Sequence, residues 1–310
     1  MKKNIFILFG MLLLCYCESG LDHLDIKNNN LKQPNDSTIV FMNVNNDFGF
    51  HIEVYYSINE IYTLTNGYFD TDVCWGFNKK SIYFTKDTGE DQKLQIWKMK
   101  YDGSQKTPIS PVDLYCSSPN ISPDGSMLAF SAEIGGYNQI IITDTSGNTW
   151  NQITNVSMMS DSIVFFLPSW VSDNEHILFT YQTFSGYHFS SPHLAMININ
   201  TKEISYFVKI DSLYPHHAEW SPTRDEIVFV GMGIPGDQIY RMNSDQTNIL
   251  KLTDSYLTYA PDWSSTGDRI VFSQRTESLD SRDEIWIMDR DGSNKRKVIS
   301  KYDFCDLPDW

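Results

Sequence analysis

Ala260-Pro-Asp-Trp-Ser-Ser-Thr-Gly-Asp-Arg-Ile-Val-Phe272 is the stretch whose pattern decides the fold. It starts with a Pro-Asp-Trp segment, continues with small polar residues that tolerate turn dihedrals, and ends in an Ile-Val-Phe run of period two. Those parts describe a β-hairpin anchored by a large aromatic ring.

With the Trp as position zero, an aliphatic residue falls at plus seven and a Phe at plus nine. The same template fits Trp75/Ile82/Phe84, Trp170/Ile177/Phe179, Trp220/Ile227/Phe229 and Trp263/Ile270/Phe272. A fifth copy carries Ile121 in place of Trp, with Leu128 and Phe130 after the turn Ser122-Pro123-Asp124-Gly125. Successive zero positions lie 46, 49, 50 and 43 residues apart, close to the roughly 40–45 of a four-stranded propeller blade. Ile96–Met99, Ile239–Met242 and Ile285–Met288 read as third strands, and Ile109, Ile153, Leu252 and Val298 fall in fourth strands.

The ends complete the count. Leu307-Pro308-Asp309-Trp310 is a first strand with no second strand after it, whereas Lys32 to Phe41 has the turn and second strand without a first. The sequence therefore predicts an all-β, six-bladed β-propeller of four-stranded antiparallel blades over residues 32–310, the first blade closed by the C-terminal strand. Ring closure of this kind removes open sheet edges.

The repeated P-x-W-S-P-D-G-x-x-I-x-F unit, followed by I-Y-x-M-x-x-D-G-x-x-x-x-L-T, resembles the WD-like repeat of the TolB-type propellers. The resemblance covers roughly residues 32–310. It implies architecture more than function, because one fold hosts many functions.

Residues 1–17 pair Lys2 and Lys3 with an apolar run from Ile5 to Leu14, followed by Cys15-Tyr16-Cys17. This is the layout of an export signal, too short for a membrane-spanning helix. Cys17 resembles the lipidation site of a bacterial lipoprotein, although Tyr16 replaces the usual small residue before it. The expected location is the periplasm or the outer membrane of a Gram-negative bacterium, with membrane contact only through a lipid anchor. Residues 18–31 read as a flexible tether, where TolB itself has a folded domain.

The 310 residues carry a net charge of −15, which disfavours nucleic acid and anionic membrane surfaces as partners. A cell-envelope protein fits best, and a glycan is a second option. Cys74, Cys116 and Cys305 stand in three different blades, and the sequence leaves their disulfide state open.

Strands that run up and down place the first-to-second and third-to-fourth turns on one face of the disc. The second-to-third loops and the connections between blades share the other, which gathers the longer loops and most of the aromatic residues. Phe48, Phe50, Tyr137, Phe184, Tyr187, Phe189, His216, His217 and Tyr259 are the candidate binding residues there, and Tyr214 and Tyr256 lie in connections on the same face.

Catalytic residues are not assigned. The sequence has no G-x-S-x-G, H-E-x-x-H or P-loop motif. Neither a metal nor a cofactor is expected, and the carboxyls of Glu219, Asp262 and Asp309 read as hydrogen-bond acceptors between blades. The expected function is a non-enzymatic binding scaffold of the cell envelope. The alternatives are a metal-assisted lyase of acidic sugars using His216 and His217, implied by the resemblance to propeller-type pectic lyases, and a glycan-binding lectin-like propeller.

Overall fold

The computed structural model of the chain describes residues 31–44, 49–57, 60–67, 69–89, 93–155, 162–185, 188–233, 236–276, 282–299 and 304–310. The signal, Cys17 and nearly all of the tether lie outside this set. Six antiparallel blades form a ring.

Blade 2 shows the unit. Its strands are Asp70–Trp75, Ser81–Asp87, Leu94–Lys100 and Thr107–Pro108, each paired with the next. Blades 3 to 6 repeat it, with first strands Cys116–Ile121, Ser162–Trp170, Pro215–Trp220 and Leu257–Trp263. The zero and plus-seven positions are direct cross-strand partners: Trp75 faces Ile82, Ile121 faces Leu128, Trp170 faces Ile177, Trp220 faces Ile227 and Trp263 faces Ile270. The plus-nine residues Phe41, Phe84, Phe130, Phe179, Phe229 and Phe272 are all at most 1% exposed.

Blade 1 is assembled from both ends of the chain. Phe304–Asp309 pairs antiparallel with Ile39–Val44, matching Asp309 to Val40 and Cys305 to Asn43. Phe50–Ser57 and Glu60–Thr63 complete the blade.

The core is divided among the seams, because each blade buries both of its faces against neighbours. Val40, Ile52 and Val54 of blade 1 pack on Trp75, Ile82 and Phe84 of blade 2. On its other side Ile39 and Phe41 meet Val271, Ile285 and Ile287 of blade 6, with Trp310 in the same cluster. Four further clusters fill the remaining seams. Alternation along each second strand therefore serves two interfaces at once.

Every first strand carries a bulge three residues before its zero position. Asp72, Ser118, Leu167, His217, Ala260 and Leu307 all adopt left-handed backbone, with φ between 44° and 55°, and the pairing register shifts at each of these points. None is glycine, so each costs about 1 kcal/mol of local strain that the surrounding sheet must hold. The residue after the bulge is Pro in four blades, Pro119, Pro168, Pro261 and Pro308. Proline suits this inner edge, which has no further strand to receive its N–H.

Trp310 secures the closing strand. It is 5% exposed, its indole N–H donates to the Asp36 carbonyl, its backbone N–H donates to Asp262 Oδ2 at 2.7 Å, and the Arg269 guanidinium lies 4.7 Å from the ring centroid. Replacing it with alanine is expected to cost about 3–5 kcal/mol and to lower the Tm by roughly 10 °C. Differential scanning calorimetry would show it; an unchanged melt would contradict closure by this strand.

Candidate binding face and axial channel

The inner strands line a channel along the ring axis. Its narrow part encloses a cavity of about 70 Å³, bounded by Asp72, Cys74, Asn120, His217, Glu219, Asp262 and Asp309 among others. Ordinary small-molecule pockets run to roughly 300–1,000 Å³. A few waters fit here, but a sugar ring does not.

The residues just before the zero positions form a belt around this channel. Asp309 accepts the Trp75 N–H at 3.2 Å, Asn120 that of Trp170 at 3.0 Å, Ser169 that of Trp220 at 3.3 Å and Asp262 that of Trp310 at 2.7 Å. Each bond crosses from one blade to the next. Trp263 instead donates its indole N–H to the Glu219 carbonyl at 3.1 Å. The carboxyls of Asp262 and Asp309 thus act as acceptors between blades, whereas Glu219 accepts the Trp263 indole through its backbone carbonyl.

Burial in this belt holds the carboxyls toward their neutral forms. Glu219, Asp262 and Asp309 keep part of their surface on the channel, but blades surround that channel on every side. Desolvation pushes Asp262 up to about 6, and desolvation followed by repulsion from Asp262 raises Glu219 and Asp309 well above the usual carboxylate range. Nearer the long-loop face, desolvation and then the charge of Asp283 raise Asp306 to about 7. Lys79 lies at the other end, its Nζ donating to the Asn35 and Thr38 carbonyls at 3.2 and 2.7 Å.

The two adjacent histidines separate at the bulge. His216 is 3% exposed and has its Nε2 3.7 Å from Asp237 Oδ2, while His217 lines the channel and donates its backbone N–H to Thr180 Oγ1. Burial lowers His216 to about 3 and His217 to about 4, so both are neutral at physiological pH. They face different surroundings and do not converge on one point. Among the described residues no three His, Cys, Asp or Glu side chains are arranged to hold a metal ion.

The other candidate residues are scattered over the long-loop face. Phe50 is buried at 7%, with its ring 4.8 Å from Phe69. Tyr137 packs half-buried against the seam of blades 3 and 4. Tyr259 is half-buried with Arg275 6.0 Å from its ring centroid. Phe189 is 46% exposed and its backbone pairs with Phe184, whose side chain is outside the described set. Phe48 and Tyr187 lie outside the described residues altogether.

The structure adds an apolar patch that the sequence reading did not single out. Tyr214, Met232 and Tyr256 are 45%, 39% and 43% exposed and flank the loop that follows Gly231. Pro215 pairs with Gly231 on one side. On the other, a side chain built at Gly236 would strike the Tyr256 carbonyl at 1.9 Å, so only glycine lets the loop lie this close. The three residues come from two blades and a loop, which is why spacing along the chain did not reveal them. Cys74, Cys116 and Cys305 are buried and none forms a disulfide.

A family profile described as the TolB beta propeller domain matches residues 104–310. The chain belongs to the TolB β-propeller family. Among solved structures it is similar to TolB from Acinetobacter baumannii at 17% identity and a TM-score of 0.69, covering 88% of this chain and 66% of that one. A putative TolB from Agrobacterium tumefaciens gives 18% identity and a TM-score of 0.62, covering 84% of this chain and 88% of that chain. An oligogalacturonate lyase from Vibrio parahaemolyticus shares the ring at 12% identity and a TM-score of 0.52, covering 84% of this chain and 72% of the lyase. At these identities the likeness is one of fold. No curated protein matches the chain, and it spans just under two thirds of the Acinetobacter TolB.

The titrating groups give a pH signature of known sign. The belt carboxyls have native pKa values above their unfolded ones, so their contribution to stability is complete below about pH 4 and is lost as pH rises through the native values. The histidines have depressed native values, so theirs is complete above about pH 6.5 and is lost as pH falls toward 4. Above pH 6.5 the carboxyls titrate alongside Lys79, whose amine is lowered to about 8 by desolvation; its burial penalty shrinks as pH rises and offsets part of the carboxyl loss. Between pH 6.5 and 8.5 the Tm is expected to fall by roughly 5 °C, and Asp309→Asn should remove at least half of that fall; an equal slope in the variant would contradict the assignment.

Proposed function

We propose that this TolB-family propeller is a non-enzymatic scaffold of the cell envelope that binds a protein through its long-loop face. The observation that carries the reading is the exposed Tyr214–Met232–Tyr256 patch, set across blades 5 and 6 beside a glycine-bearing loop. Aromatic and Met side chains of this kind are enriched at the centres of protein interfaces and depleted on ordinary surface. The channel, at about 70 Å³, is too small to be the recognition site for anything but solvent. Recognition by the rim of the ring is therefore the arrangement that uses what the fold exposes.

The wider setting follows from the family and from the N-terminal residues. The solved TolB proteins are the natural precedent for an envelope protein with this ring. The basic and apolar start of the chain fits export, and Cys17 fits attachment of a lipid that would hold the propeller at a membrane. The location is the periplasm or outer membrane of a Gram-negative cell.

Photo-crosslinking amino acids placed at Tyr214, Tyr256 and, as a control on the opposite face, Phe77 test the reading in the native host. Adducts to a single envelope protein from positions 214 and 256 are expected, with none from position 77. Tyr256→Ala should lower recovery of that protein about tenfold, as loss of a central interface residue does. Adducts from position 77 alone would overturn the proposal.

A further inference from the structure

We infer that the protein docked on the long-loop face presents a positively charged surface, because the fold places the unbalanced negative charge of this chain on that face. The inference rests on the reading of that face as the binding surface and assigns the chemistry of its partner. A net charge of −15 could have been spread evenly. The ring does not spread it.

On the short-turn face lysines and arginines are numerous, and several acidic groups meet them. Arg224 pairs with Asp268 at 2.6 Å, and Glu226 lies between Arg241, at 2.5 Å, and Arg290. Further lysines and arginines stand in the turns, Lys80, Lys100 and Lys295 among them. The field of this face is locally compensated.

The long-loop face differs, because cations are few there and two of them are held by buried carboxylates. Lys86 sits 3.4 Å from Asp70, which is 1% exposed, and Arg275 grips Asp283 through two bonds of 2.9 Å. Asp113, Glu133 and Asp254 are exposed on the same face and make no ion pair with a Lys or Arg among the described residues. Asp113 and Glu133 flank the junction of blades 2 and 3, and Asp254 flanks that of blades 5 and 6. These junctions stand opposite one another across a six-membered ring.

An approaching surface therefore meets carboxylates on both sides of the channel mouth and the apolar patch between blades 5 and 6. Rim charges of one sign steer a partner of the other sign and reject like-charged surfaces, while apolar contact supplies the residence time. Anionic lipid and acidic polysaccharide are repelled by the same arrangement. At about 0.1 M salt the Debye length is roughly 10 Å, so the steering is strongly salt-dependent.

Two triple variants of the full chain remove equal charge from opposite faces. One is Asp113→Asn, Glu133→Gln and Asp254→Asn; the other is Glu175→Gln, Glu203→Gln and Asp225→Asn, all exposed on the short-turn face. Fluorescence anisotropy with a labelled decalysine peptide, at 50 mM NaCl and upward, compares them. The long-loop triple is expected to weaken binding about fivefold or more and to flatten its salt dependence, and the short-turn triple to change it less than twofold. Equal weakening by both triples, or no binding by the unaltered protein at 50 mM NaCl, would overturn the inference. If the protein crosslinked at positions 214 and 256 binds the long-loop triple with unchanged affinity, docking on this face stands and the charge assignment falls.

Discussion

The ring depends on one recurring bond, in which the backbone N–H at the foot of a first strand is accepted by a side chain of the preceding blade. Inner strands have no sheet partner on the channel side, so this N–H would otherwise be buried without an acceptor, at about 1–3 kcal/mol each. Asn120, Ser169, Asp262 and Asp309 supply the oxygen. The bulge three residues before each zero position lets the strand turn that side chain toward the neighbouring blade. Six left-handed residues, none of them glycine, show that the fold sustains repeated strain to keep this geometry. Blades 3 and 6 depart from the pattern: the blade before blade 3 offers the thiol of Cys74 to Ile121, and Trp263 of blade 6 donates its indole N–H to the Glu219 carbonyl.

The same belt restricts where function can reside. It narrows the axis to a few waters, and it desolvates the carboxyls that a sequence reader might take for a catalytic set. Neutral His216 and His217 are a further product of close packing around the axis. What remains open to a partner is the rim, where loop length and exposed rings are unconstrained by the repeat. The scaffold reading follows from that division between a rigid, satisfied axis and a variable edge.

Legibility in the sequence divides along the same line. The template of zero, plus seven and plus nine predicted real cross-strand pairs and buried Phe residues, because a repeat states the same packing requirement several times over. Closure by Trp310 was readable for the same reason: a missing Lys32 partner and a surplus strand share one spacing. The bulges were not readable, since Asp, Ser, Leu, His and Ala at the left-handed position follow no residue preference and are imposed by the ring. The apolar patch was missed because Tyr214, Met232 and Tyr256 converge only in three dimensions. Phe50 and Tyr137, in contrast, looked like surface rings and pack inward, as aromatic residues at strand ends commonly do.

The split first blade also sets an order of events during synthesis. Ile39–Val44 is made early, yet the strand that covers its inner edge, Phe304–Asp309, is made last. Blades 2 to 6 can pack in sequence as they emerge, but the seam between blades 6 and 1 has no complete partner until the final strand arrives. For most of the time on the ribosome the chain therefore carries an open edge and an unfinished core cluster, and its longest-range contact is its last. That delay keeps the ring from locking until the closing strand is present.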